Sequence, residues 1–392
     1  MPSAFRKTLE TVLILALLAA APASAQTVKP PATNQGKVLM AEDVFTNIQV
    51  LRGIPVNQFM ETMGFMSAAL GYNCTNCHGL DVLGNWPKYA VDTPEKRQGR
   101  RMVQIVNTIN KTLFGGREAV TCFTCHRGSP TPRVVPSLME QYSEPAPDDP
   151  NDVEPSRRQV KGPSVDEIFA RYLEAIGGAD KAAALTSFVG KGRYEGFDSY
   201  HGKVPVDYYT KSSGERSVVA HTQNGDSVNT YDGRNAWIAG PDKPVGVLQL
   251  VPGGDLDGAK LESVLAFPAK LKTALTDLRT GFPTTLVNEK AVNIVQGKIG
   301  TSRVKLFFDA QTGLLTRVYR QSHTAIGSVP VQIEFSDYRE VAGVKVPFEW
   351  KLTWTDGQSQ YNMDEMQANV SVDASKFAKP VPPAKPVVAP LK

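Results

Sequence analysis

The sequence predicts a multidomain α+β protein, a small all-α domain followed by a mainly antiparallel β domain, and three observations carry that expectation. The chain has 392 residues, more than one core usually serves, since a domain holds roughly 100–200. Helical patterns dominate the N-terminal third, where two identical cysteine motifs lie. Strand patterns dominate from about residue 180, beyond a Pro-rich stretch. The boundaries read as 1–25, 26–131, 132–163, 164–378 and 379–392.

Residues 1–25 have the form of a cleaved signal peptide. Arg6 and Lys7 supply the positive region, Val12 to Ala21 a short apolar run, and Ala23-Ser24-Ala25 a small-x-small cleavage site. The run is well short of the ~20 apolar residues that span a bilayer. The expectation is an exported, periplasmic protein, peripheral to the membrane at most. The net charge of +4, taken over the whole chain, does not argue for nucleic acid as a partner.

Pro55 to Leu70 reads as a helix, with Pro55 in the first turn and Gly71 as the stop. Phe59, Met63, Met66 and Leu70 recur on one face. Pro94 to Phe114 reads as a second helix, with Thr93 as N-cap, Gly115-Gly116 as terminator, and a face of Met102, Ile105, Val106, Ile109 and Leu113. Each helix is followed by a motif: Cys74-Thr75-Asn76-Cys77-His78 and Cys122-Phe123-Thr124-Cys125-His126.

The chain spends all four of its cysteines in these two motifs. Two thiols at this spacing can add to the two vinyl groups of one porphyrin, and the adjacent His falls under the iron. Zinc sites, disulfides and redox dithiols also use Cys-x-x-Cys, but none requires a His after both pairs. The expectation is two covalently bound haem c groups, with Cys74, Cys77, Cys122 and Cys125 attaching them and His78 and His126 as proximal iron ligands. No other His lies upstream of 126; His201, His221 and His323 are far along the chain and read as surface or structural residues. Methionine is therefore the expected distal ligand: Met63 for the first iron, with Met60 and Met66 as alternates, and Met102 for the second. On the packing reading, these methionines are core.

The run Met63-Gly64-Phe65-Met66-Ser67-Ala68-Ala69-Leu70-Gly71-Tyr72-Asn73 into the first motif resembles the cytochrome subunit of the photosynthetic reaction centre. So does Arg101-Met102-Val103 followed by the second motif. The resemblance covers about residues 41–131. It implies haems packed along helices, Met63 at a distal-ligand position, and Met102 on the corresponding helix, although one haem of that family takes a distant His. The family has four haem motifs where this chain has two, and it often carries a lipidated N-terminal Cys that is lacking here.

From Ser129 to Pro163, eight prolines and the stretch Asp148-Asp149-Pro150-Asn151-Asp152 read as an extended linker, and the end from Lys379 as a disordered Pro-rich tail. Ser164-Val165-Asp166-Glu167 is a capping box opening a helix that stops at Gly177-Gly178. Val331 to Phe335 and Trp350 to Trp354 alternate, Asp232-Gly233 and Asp356-Gly357 signal hairpins, and Gly258 to Leu278 is a helical interruption. This pattern, with Tyr231 to Trp237 and Val344 to Pro347, resembles the half-barrel of the periplasmic lipoprotein-carrier family.

Together these readings predict a dihaem c-type cytochrome that is an electron carrier rather than an enzyme. Its partners would be a redox donor and acceptor, such as a membrane reaction centre or a respiratory complex, and its β domain could take an apolar ligand. A dihaem peroxidase and an envelope ligand-binding module with accessory haems are the competing classes.

Overall fold

The computed structural model describes residues 38–82, 85–144, 149–156, 162–241 and 243–382. The segment read as a signal peptide lies outside them, as do parts of the stretch read as a linker and most of that read as a tail.

The N-terminal region is helical: α1 (Ala41–Val44), α2 (Val56–Leu70), α3 (Cys74–His78), α4 (Pro94–Leu113), α5 (Cys122–His126) and α6 (Leu138–Tyr142). The two long helices begin and end where the sequence places them. Pro55 caps α2, which ends at Gly71 with a left-handed φ of 64°. Thr93 caps α4, its hydroxyl accepting from the Lys96 N–H at 3.1 Å.

Four helices precede or interrupt the strands: α7 (Val165–Ala175), α8 (Ala179–Ala183), α9 (Gly254–Leu265) and α10 (Pro268–Ala274). The capping box is present, with the Ser164 hydroxyl accepting from the Glu167 N–H at 3.3 Å and the Glu167 carboxylate accepting from the Ser164 N–H at 2.7 Å.

The strands are β1 (Ser187–Gly196), β2 (Val204–Lys211), β3 (Arg216–Thr222), β4 (Gly225–Tyr231), β5 (Ala236–Ala239), β6 (Val247–Gln249), β7 (Thr276–Arg279), β8 (Thr285–Val287), β9 (Lys290–Ile299), β10 (Ser302–Asp309), β11 (Leu315–His323), β12 (Ser328–Val341), β13 (Val344–Trp354) and β14 (Gly357–Ala368). They form one antiparallel sheet in the order β6-β5-β4-β3-β2-β1-β14-β13-β12-β11-β10-β9-β7, with β8 also on β9. Two meanders are thus joined where β1 pairs with β14, from Phe188 opposite Ala368 to Gly196 opposite Ser359. The hairpin signal at Asp356-Gly357 is real but one residue out of place: Trp354 pairs with Gly357, so the turn is Thr355-Asp356. Helices α7–α10 cover one face, where Phe169 and Tyr172 meet the ring of Phe308 at 5.5 and 5.3 Å between centroids.

The helical region is not simply tethered to this sheet. Phe65, Ala69, Val103 and Cys122 share a buried cluster with Ile326, Val329 and Val331 of the sheet. A Cβ added to Gly327 would lie 2.3 Å from the Phe65 ring, and one on Gly64 would lie 2.6 Å from the Asp356 carboxylate. The β11–β12 and β13–β14 turns therefore close on α2 where glycines leave room. Part of the Pro-rich stretch also docks. Lys305, only 3% exposed, donates to the carbonyls of Asn151 and Val153, both at 2.6 Å, and the Asn151 amide donates to Gln332 at 2.8 Å. Composition reads such a segment as extended linker because it is rich in proline and acidic residues; here its backbone carbonyls meet a buried cation and Val153 packs against the cluster of Phe282 and Phe307.

Candidate functional site

Every side chain that the sequence singles out for the first motif borders one cavity of about 2300 Å³: Cys74, Cys77, His78, Met63 and both alternates, Met60 and Met66. Met102, Cys122 and His126 border it too. Cys125, exposed on α5, is the one that does not appear along its wall.

The packing that produces this is crossed. The first motif helix, α3, lies on α4, tied by the Thr93 hydroxyl to the Cys77 carbonyl at 2.6 Å. The second, α5, lies on α2, where the Gly128 N–H donates to the Ala69 carbonyl at 3.0 Å. The predicted stripe of α2, Phe59, Met63, Met66 and Leu70, faces the cavity. Its other side, Gly64, Phe65 and Ala69, is buried against the sheet. This helix is apolar on two faces because it serves two neighbours. The expected face of α4 needs correction. Val103 and Val106 are its buried residues, whereas Ile105 is 48% and Leu113 74% exposed. Periodicity identifies a stripe but not which edge of it is covered.

Both histidines are held alike. His78 Nδ1 lies 3.2 Å from the Tyr89 carbonyl, and His126 Nδ1 lies 2.9 Å from the Ser129 carbonyl. A carbonyl only accepts, so Nδ1–H is the donor in each ring and Nε2 keeps its lone pair. That is the arrangement of an orienting outer partner behind a metal-binding imidazole. Burial, and then the Lys96 ammonium, hold His78 below its ordinary pKa and so in the neutral form. Its ring packs on Tyr89 at 4.8 Å, and Tyr89 stacks on Trp86 at 5.1 Å. Sequence reasoning missed Tyr89, Trp86 and the two carbonyls, since nothing in their spacing relates them to the motifs.

No disulfide joins any two of the four cysteines. Among the described residues, no three or more His, Cys, Asp or Glu side chains converge as a metal-ion site, so the two pairs do not form a shared zinc centre. The residues fit two porphyrin-bound irons: paired thiols, an imidazole with its Nε2 available, and a thioether-lined wall beyond. Of the remaining histidines, His201 borders the cavity. His221 sits between Asp226 at 2.8 Å and Asp207 at 3.4 Å, and His323 Nδ1 lies 2.9 Å from the Ser328 hydroxyl.

The cavity reaches the sheet through a buried polar cluster. Asn57 of α2 donates to Asp255 at 3.0 Å, and the Ser322 hydroxyl donates to Glu61 at 3.2 Å. Burial and the Asp255 carboxylate push Glu61 up to about 9, against the smaller pull of Arg320 and Ser322.

The fold and site define a helical region that carries two Cys-x-x-Cys-His motifs, wedged on a curled antiparallel sheet. Comparison with known proteins identifies the helical part more closely. Residues 10–166 match the family described as Photosynthetic reaction centre cytochrome C subunit, and this N-terminal part of the chain is similar to that family. The chain is 34% identical over 99 residues to the reaction center cytochrome c subunit of Thermochromatium tepidum, 24% of this chain and 23% of that one. It is 33% identical over 110 residues to that of Rubrivivax gelatinosus, 27% of this chain and 28% of that one. The chain thus spans about a quarter of the length of these relatives. Among solved structures, a LolA superfamily protein from Nitrosomonas europaea superposes with a TM-score of 0.38 at 11% identity, over 56% of this chain and 99% of that one.

Proposed function

We propose that the protein is an exported dihaem c-type cytochrome that carries electrons between redox partners of the cell envelope. The observation that supports this most is the repeated geometry of the two motifs. In each, a short helix presents two thiols and a histidine, and a backbone carbonyl fixes that histidine as the Nδ1–H tautomer.

In this reading Cys74 and Cys77 hold one haem, and Cys122 and Cys125 the other. His78 and His126 would offer Nε2 to the irons, and Met63 and Met102 would supply the second, thioether donors. The bound groups supply a one-electron Fe(III)/Fe(II) couple. The chain's own residues do the rest. Tyr89 and Ser129 orient the imidazoles, thioether ligands favour the reduced iron, and the aromatic shell around His78 limits water. A membrane reaction centre or a respiratory complex would be a partner of suitable kind. The sheet's side of the cavity, with Val218, Ile238 and Leu248, would accommodate an apolar ligand.

Intact mass spectrometry of the denatured protein tests the cofactor count. The expected mass exceeds that of the polypeptide by two haems. A bare polypeptide from cells with a working haem-attachment system would overturn the reading.

A further inference from the structure

Composition spreads the net charge of +4 over the chain, but the sequence places it unevenly. Residues 94–135 contain eight basic and two acidic residues, a net of +6, so the rest of the molecule is net −2. This interval is α4, α5 and their flanks, the unit of the second motif. Arg97, Arg101, Lys111, Arg117, Arg127 and Arg133 are all exposed there. Arg97 and Arg101 border the cavity; the other four do not.

In the same interval, with Lys111 and Arg117 beside it in the chain, lies apolar surface that the fold leaves uncovered. Leu113 is 74% exposed, Phe114 38% and Phe123 51%, and none of them borders the cavity. They are held in a fixed relation. Asn110 of α4 donates to the Val120 carbonyl at 2.7 Å and accepts from the N–H groups of Ala119 and Val120 at 3.1 and 3.0 Å. That clasp pins the loop after Leu113 and Phe114 to the start of α5, where Phe123 and the exposed attachment thiol of Cys125 project.

We infer that this face is the docking surface for an acidic redox protein that exchanges electrons through the second haem; the inference rests on the dihaem reading above. An apolar centre rimmed by cations is the anatomy of a transient electron-transfer interface, where charge steers encounter and the apolar patch sets the final approach. Five of the six exposed cations are arginines, the basic residue enriched at protein interfaces and suited to bidentate carboxylate contacts. This composition favours a carboxylate-bearing protein over a lipid surface as the occupant. The first motif shares the cavity with Lys96, Arg97, Arg100 and Arg101 of α4, but the helix before it contributes no cation. Its long helix α2 carries Glu61 and no basic residue, and its outer side is covered by the sheet.

The test uses the full haem-loaded chain and three reductants: an acidic flavodoxin, a basic monohaem cytochrome c, and a neutral reduced flavin. Flavodoxin should reduce the wild type fastest, and its rate should fall roughly tenfold or more as salt rises from low to physiological ionic strength. The double variant Lys111→Glu with Arg117→Glu should lose about tenfold in that rate at low salt, keep its rate with neutral flavin, and gain with the basic cytochrome. Leu113→Ser, a milder change, should slow flavodoxin at every ionic strength. Equal flavodoxin rates in wild type and double variant would overturn the docking surface while leaving the cytochrome reading intact. So would salt-sensitive binding of the wild type to phosphatidylglycerol vesicles with no charge effect on flavodoxin. A protein that neutral flavin cannot reduce would instead count against the dihaem reading itself.

Discussion

The two Cys-x-x-Cys-His units are nearly the same in sequence logic and differ in what the rest of the chain does to them. Each has a long helix bearing methionine, a turn, and a five-residue motif helix. The first long helix, α2, lies between the cavity and the turns of the sheet, with Phe65 6% exposed. The second, α4, keeps only Val103 and Val106 buried and offers Ile105 and Leu113 to solvent. The first histidine takes its carbonyl partner from Tyr89, eleven residues on and part of an aromatic stack; the second takes it from Ser129, three residues on. One long helix is thus embedded and the other displayed, while both motif helices stay partly open, α3 with no buried residue and α5 with Cys122 alone. Equal local chemistry does not give equal sites, because solvent access and partner access are set by what packs on the outside.

The comparison can be broken most directly at the attachment thiols. Cys74→Ala with Cys77→Ala should remove one haem and leave the other, read as a mass lower by one haem and a halved haem absorbance per chain. Loss of both haems in a folded protein would mean that the units are not separable.

The distal ligands come next. Met102→Ala should open the displayed site to carbon monoxide and make one haem high-spin, with the other unchanged. If Met102 is core packing alone, both haems stay low-spin and the substitution costs about 2–5 kcal/mol in stability. A low-spin second haem in that variant would direct attention to His201, which shares the cavity.

The embedded unit has a different weak point. Phe65→Ala should cost about 3–5 kcal/mol, because it empties the contact with Gly327 and the cluster around Val329 and Val331. It should also perturb the first haem more than the second. A melt lowered by less than a few degrees, with unchanged spectra, would show that the sheet does not hold α2. Residues 164–382 expressed alone should still melt cooperatively, since α7–α10 and the sheet form their own core, while exposing Val329, Val331 and Trp354.

The smallest expected effects are in pH dependence, and they have opposite signs in the two regions. Glu61, at the junction, is raised to about 9 by burial and Asp255. Its protonated form is the one the fold prefers, so its contribution is complete below the ordinary carboxylate pKa and is lost as pH rises through about 9. Glu61→Gln should therefore melt like the wild type near pH 4 and higher than it near pH 9. Glu334, in the sheet, is lowered. Burial would raise it, but Arg317 at 2.8 Å and Lys351 at 3.1 Å outweigh that. Its contribution is present above the ordinary carboxylate range and is lost as pH falls. Glu334→Gln should be less stable than the wild type at pH 7, with the gap closing below about pH 4. Parallel pH profiles for the two variants would refute this assignment.

Local rules carried the sequence reading a long way. The limits of α2 and α4 follow from Pro55, Gly71, Thr93 and Pro94, whose effects are backbone effects within one helical turn. The two motifs announce their own chemistry because covalent attachment requires fixed spacing along the chain. The capping box at Ser164 and the helical interruption after β6 are equally local. The crossed seating of α3 on α4 and α5 on α2, the clamp of the sheet on α2, and the carbonyls of Tyr89 and Ser129 were not legible. Each depends on residues that sequence separation hides, such as Gly327 receiving Phe65 from 262 positions away. The sequence by itself determined the spacing of the paired thiols and the imidazole beside them, and the ends of the helices that carry them, since these are decided within a few residues. Only the tertiary structure decided which of the two long helices is enclosed and which is displayed, because burial is a property of surfaces that meet after the chain has folded.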